Sequence, residues 1–203
     1  MVKLHQRLLL VFLIIIFLIN MCFSTDYDLS RRRRLPTRGI HLTTTGIDIK
    51  IVLKGLYDVT IQWGDGSEIS YSFDDDNEYK CFIHTYHDNK SHNIFISGQI
   101  NYLDLSNNGI TSIMLGHDTR LYELNLRNNK LSGIWFTSNA TTSLRELDLR
   151  NNIFTAHDFN ALFRQLLYNR EKSNIYIGGN PGTRRCDTRQ IRDFGWNVHT
   201  EVD

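Results

Sequence analysis

From residue 100 the chain repeats itself, and that repetition restricts the fold more than any other feature. The pattern L-x-x-L-x-L-x-x-N-x-L is met at Ile100, Leu103, Leu105, Asn108 and Ile110. It returns at Leu121, Leu124, Leu126, Asn129 and Leu131, and again at Leu144, Leu147, Leu149, Asn152 and Phe154. A degraded fourth copy keeps Ile175, Ile177 and Asn180. One copy cannot bury its apolar side alone, so the copies must stack as successive coils of a short solenoid with a parallel strand ladder. In such a stack the asparagine amides turn inward and bond the backbone of their own and the adjacent coil. Asn108, Asn129, Asn152 and Asn180 are therefore expected to form a structural ladder.

The longer interval before the fourth copy reads as a helix. Thr155 and Asp158 have capping-box spacing, with Asp in place of Glu, and Phe159, Leu162, Phe163, Leu166 and Leu167 form one apolar stripe. Near the end, Asp187 is placed to cap a second helix that Gly195 stops, and Trp196 and Val198 are expected to close the last coil against water.

Residues 41–99 follow a different rule, strict alternation. Ile47, Ile49, Ile51 and Leu53 share one face, Val59, Ile61 and Trp63 make a second run, and Ile69, Tyr71 and Phe73 follow. Gly64-Asp65-Gly66 between two runs signals a tight hairpin. With Phe82–Tyr86 and Asn93–Ser97 this predicts five or six short antiparallel strands in a small β-sandwich. The expected fold class is thus mainly β with some α, a sandwich over 41–99 followed by coils and a cap over 100–203.

These motifs carry a resemblance. Trp63-Gly64-Asp65-Gly66-Ser67, His84-Thr85-Tyr86 and Ile94–Gly98 look like the W-G-D-G-S, H-T-Y and closing-strand motifs of PKD-like, immunoglobulin-type domains. Their pairing with coils ending in N-P-G, C-D and G-W is similar to exported leucine-rich repeat proteins of Gram-negative gut bacteria. The resemblance spans roughly residues 41–200 and implies a surface or secreted interaction protein in which Asp65 and Tyr86 are structural. Such domains usually carry glycine after H-T-Y where this chain has Lys90, which shifts a positive φ onto Asn89.

Ahead of these domains, Lys3 and Arg7 flank twelve apolar residues, Leu8 to Ile19, and then come Cys22 and Ser24. Twelve residues reach about 18 Å, short of the roughly 30 Å of a bilayer core. Residues 1–24 therefore read as a signal peptide, cleaved after Ser24 or, alternatively, lipidated at Cys22. Residues 25–40, with Arg31–Arg34 and Arg38, read as an arginine-rich linker. Beyond Cys22 the cysteines are Cys81 and Cys186, placed in different domains and too far apart to pair. Membrane contact is expected through the signal or lipid anchor alone. The net charge of +1 supplies no field that would gather nucleic acid, and the chain is expected to be a monomer.

Catalytic and metal patterns are weak. Cys81, His84, His87 and His92 have spacings that send their side chains to opposite faces of a strand. Asp74-Asp75-Asp76-Asn77-Glu78 lacks calcium-loop order. No nucleophile elbow, H-E-x-x-H or phosphate-binding glycine loop occurs, so no enzyme, metal or cofactor is expected. Glu146 and Asp148 would suit glycoside cleavage in separation, but they fall on an open face where nothing would raise one pKa. Sequons at Asn89 and Asn139 matter only in a host that glycosylates asparagine.

What remains is binding. The outward strand positions are Tyr102, Asp104 and Ser106, then Glu123, Asn125 and Arg127, then Glu146, Asp148 and Arg150, and finally Asn174 and Tyr176. Tyrosine and arginine are interface anchors, so this concave face is the expected site for a protein, peptide or glycan ligand. Four strands give a face of about 15 by 17 Å, small beside the roughly 800 Å² a standard protein partner covers. A spacer or assembly element is the rival reading.

Overall fold

The computed structural model describes residues 38–75, 78–116, 119–137, 143–166 and 172–202. The expected signal peptide with Cys22, most of the linker, Asp76, Leu167 and the Asn139 sequon lie outside the described residues. The protein is mainly β, built on one mixed sheet. Eleven strands are described: β1 (Ile40–Thr44), β2 (Asp48–Gln62), β3 (Glu68–Phe73), β4 (Lys80–Thr85), β5 (His92–Asp104), β6 (Ile110–Leu115), β7 (Glu123–Asn125), β8 (Trp135–Phe136), β9 (Glu146–Asp148), β10 (Ser173–Tyr176) and β11 (Trp196–His199). Two helices, α1 (Ala156–Phe163) and α2 (Arg189–Asp193), follow β9 and β10.

Two long strands organise the sheet. The first part of β2 lies antiparallel to β4 and to Tyr102–Asp104 of β5, while its last part lies against β3 and Phe95–Ser97 of β5. The two apolar runs expected as separate strands are thus one strand, bent where its register shifts around Gly55 and Tyr57. Gly55 fits there because a β-carbon would strike the carbonyl of Gln99, and Tyr57 takes a positive φ of 60°. Beyond β5 the sheet divides. Its C-terminal part continues in parallel through β7, β9, β10 and β11. Its N-terminal part pairs with β1, which pairs with β6, and β6 runs parallel to β8. The boundary expected at 99/100 therefore falls inside β5, and the described residues pack as one unit.

Alternation explains the burial. Ile49, Ile51, Leu53, Val59 and Ile61 join the same buried cluster as Leu103, Leu124, Leu147 and Ile175. Ile47, which precedes β2, and Ile69, near the start of β3, are exposed. Thr155 and Asp158 make both bonds of the capping box of α1, and Phe154, Phe159 and Phe163 stack beneath it. At α2 the N-cap is Thr188, which makes no side-chain cap bond, rather than Asp187. The Asp187 carboxylate instead accepts the Arg189 N–H and guanidinium, which together hold its pKa down to about 2. Gly195 turns the chain at φ +92°, and Trp196 is buried.

The turn after Tyr86 corrects a second expectation. Asn89 is not among the residues with positive φ. Asp88 Oδ1 accepts the Lys90 N–H at 3.1 Å and lies 2.7 Å from His92 Nε2. The carboxylate closes the turn, so no left-handed residue is required.

Candidate functional site

The geometry of the coils begins with their asparagines. Asn129 Oδ1 accepts the N–H groups of Asn108 and Ile110, and its amide donates to Leu105 O and Leu126 O. Asn152 takes the Leu131 N–H and donates to Leu126 O and Leu149 O. Asn180 takes the Phe154 N–H and donates to Leu149 O and Ile177 O. In the first copy, Asn108 Oδ1 accepts the Lys50 N–H and its Nδ2 donates to Lys50 O, both at 2.8 Å. Three of these amides thus tie each copy of the sequence pattern to the one before it, and Asn108 ties the first copy to β2.

A second asparagine row was not anticipated. Asn107, Asn128 and Asn151 take left-handed φ of 61°, 57° and 54°, and Gly179 does so at 73°. Asn128 Nδ2 donates to Asn107 Oδ1, and Asn151 Nδ2 donates to Asn128 Oδ1. Asparagine tolerates this region better than other non-glycine residues. The recurring N-N dipeptide, with Gly179 in the degraded copy, was the available signal.

These turns set the outward face. Strand register brings Tyr102, Glu123, Glu146 and Asn174 into one row, and Asp104, Asn125, Asp148, Tyr176 and His199 into the next. A depression of about 270 Å³ opens there, lined by Tyr102, Glu123, Leu124, Asn125, Glu146, Asp148, Arg150 and Tyr176. Arg127, expected with them, does not line it. The face also continues past the coils: Val52 and Lys54 stand opposite Asp104 and Tyr102, and β4 lies beyond. Seven strands at about 4.8 Å make it roughly 29 Å wide, nearly twice the width expected from the repeats alone.

Several of its polar groups are already engaged. Asp104, Asn125 and Asp148 each accept the N–H two residues on, from Ser106, Arg127 and Arg150. Arg150 also grips Asp148 through Nε and Nη2, the latter at 2.6 Å, and lies over the Tyr176 ring. Arg127 Nη2 donates to Val202 O at 3.2 Å. Glu123 and Glu146 are exposed and adjacent in register; Asn174 donates to Glu146 at 3.3 Å. Tyr102 meets Tyr79 edge-on, with ring centroids 5.0 Å apart, and Tyr176 stacks on His199. Burial, then the charge of Asp104, raises the Tyr102 pKa; burial and Glu146 raise that of Tyr176. Both phenols keep their protons and can donate. Acceptors, two phenols and a clamped guanidinium are gathered on one face.

A second polar cluster sits at the Trp63–Ser67 turn. Asp65 accepts from Ser67 N–H and Oγ–H and lies 2.8 Å from His84 Nε2. The Ser67 bonds first, and His84 after them, hold its carboxyl well below the usual range. His84 stacks on Trp63, His92 stacks on Tyr86, and the Tyr86 hydroxyl donates to Trp63 O. Burial, then the Asp65 charge, pushes Tyr86 up to about 12. Among the described residues, no group of three or more His, Cys, Asp or Glu converges for a metal ion. No family model matches the sequence, and neither the curated proteins nor the solved structures compared with it include a match.

Proposed function

We propose that this chain is an exported interaction protein, not an enzyme, whose ligand lies across the outward face of the coil strands. In this reading residues 41–99 are a PKD-like sandwich that closes the first coil of a leucine-rich repeat solenoid, and residues 1–24 direct export, with cleavage after Ser24 or lipidation at Cys22. The carrying observation is the depression over β5, β7, β9 and β10, lined by Tyr102, Glu146 and Tyr176 among others. Its shallow, polar, tyrosine-bearing form suits an extended peptide, a loop of a protein or a glycan.

The test is a peptide and glycan array probed with the labelled chain, followed by Tyr102→Ala and Glu146→Ala. Both substitutions are expected to weaken binding of the array ligand at least tenfold; unchanged binding removes the face from the site. The rival reading, a spacer element, draws on the engagement of Asp104, Asn125, Asp148 and Arg150 in bonds of the fold itself. An array on which the chain selects nothing above background favours that reading.

A further inference from the structure

The segment after β11 does not leave the sheet. Gly178 stands on the outward side of the fourth coil, and a β-carbon there would collide with the backbone carbonyl of Glu201. Two coils away, Arg127 Nη2 donates to Val202 O. Residues 200–202 therefore fold back across the arginine side of the face, from Gly178 toward Arg127. A large depression of about 970 Å³ beside them is lined by Arg184, Arg185 and Arg192 together with Thr200, Glu201 and Val202.

We infer that this row is a groove for an extended acidic peptide and that the chain's own residues 200–202 occupy it as a built-in competitor. Three observations support it. A glycine at 178 lets a second backbone lie directly on the sheet, a closeness that any side chain forbids. The contact at Arg127 is to a main-chain carbonyl, which every peptide offers, so the row reads backbone rather than one side chain. Arg127 holds the Val202 carbonyl, Arg184, Arg185 and Arg192 line the depression that residues 200–202 also line, and the segment brings Glu201; a peptide with carboxylates has the complementary charge. Apart from this row the face retains its acidic and tyrosine half, Tyr102, Glu123, Glu146 and Tyr176, so the segment decides whether a ligand meets half of the surface or all of it. The inference extends the binding reading above to the regulation of the same face.

The probe is a fluorescein-labelled peptide of residues 197–203, Asn-Val-His-Thr-Glu-Val-Asp. In the full-length chain with residues 200–202 replaced by Gly-Ser-Gly, the probe is expected to bind at least tenfold tighter than to the unaltered chain. Adding Arg127→Ala to the replaced chain is expected to weaken it at least fivefold. Equal affinity for the replaced and unaltered chains, or no binding to either, overturns the inference. Should the replaced chain lose its fold, the unaltered chain answers the same question. Millimolar unlabelled peptide is expected to move the amide resonances of residues 200–202 toward free-peptide positions, and resonances that stay fixed overturn it. Failure here with array ligands still lost in Tyr102→Ala removes the competitor and leaves the binding face; loss of both removes the face.

Discussion

Turns in the coils and turns in residues 41–99 are held by different means. Asp65 and Asp88 each close a turn with groups two to nineteen residues away, at a partly open surface. The inner asparagines of the coils make buried bonds to groups in other coils, 19 to 31 residues distant in sequence. A surface turn that fails exposes its own few groups to water, which can replace the lost partner. A coil turn that fails strands backbone groups in two coils at once, where water does not reach. The outward face is a product of the second kind of turn, because its rows exist only while adjacent coils keep register.

Substitution at the middle of the inner ladder breaks this contrast most severely. Asn129→Ala leaves the N–H groups of Asn108 and Ile110 and two carbonyls without their partners, an expected loss of about 3 to 5 kcal/mol in urea unfolding. Asn108→Ala removes both bonds to Lys50 and is expected to cost about 2 to 3 kcal/mol. Because those bonds tie β2 to the first coil, its unfolding curve should broaden or split, which circular dichroism and tryptophan fluorescence would follow together.

Smaller effects are expected where the turn is local. Asp65→Asn keeps an acceptor for Ser67 and loses the charge facing His84, a change of about 1 kcal/mol at neutral pH. A carboxyl whose folded pKa is depressed contributes its full stability above the ordinary value of 3.8 and loses it as pH falls toward the folded value. Below pH 3.8 the wild-type chain should therefore lose stability that Asp65→Asn does not lose, as thermal melts at graded acid pH would record. Asn128→Gly, in the outer row, exchanges two exposed amide bonds for an unstrained left-handed residue and should fall within about 0.5 kcal/mol of wild type.

The buried leucines and the inner asparagine bonds were legible because their spacing is rigid: leucines that must face inward and an amide that must bond backbone leave few alternatives. The capping box at Thr155 followed from local chemistry alone. What could not be read was the joint between the halves, since the long strands β2 and β5 owe their length to partners remote in sequence, and the apolar run broken at Gly55 looked like two strands. The outward positions were legible but their chemistry was not. Spacing placed Tyr102, Glu123, Glu146 and Tyr176 outward, yet nothing in the sequence shows that Asp148 holds Arg150 or that Val202 returns to Arg127.

Buried asparagine amides join each copy of the pattern to the one before it and the first copy to β2. Hydrogen exchange of the N–H groups they accept, those of Lys50, Ile110, Leu131 and Phe154, addresses this directly. All four are expected to exchange only through global unfolding, at one common free energy matching that from denaturant titration. Exchange at Lys50 or Ile110 as fast as at the exposed turn amide of Lys90 would contradict it.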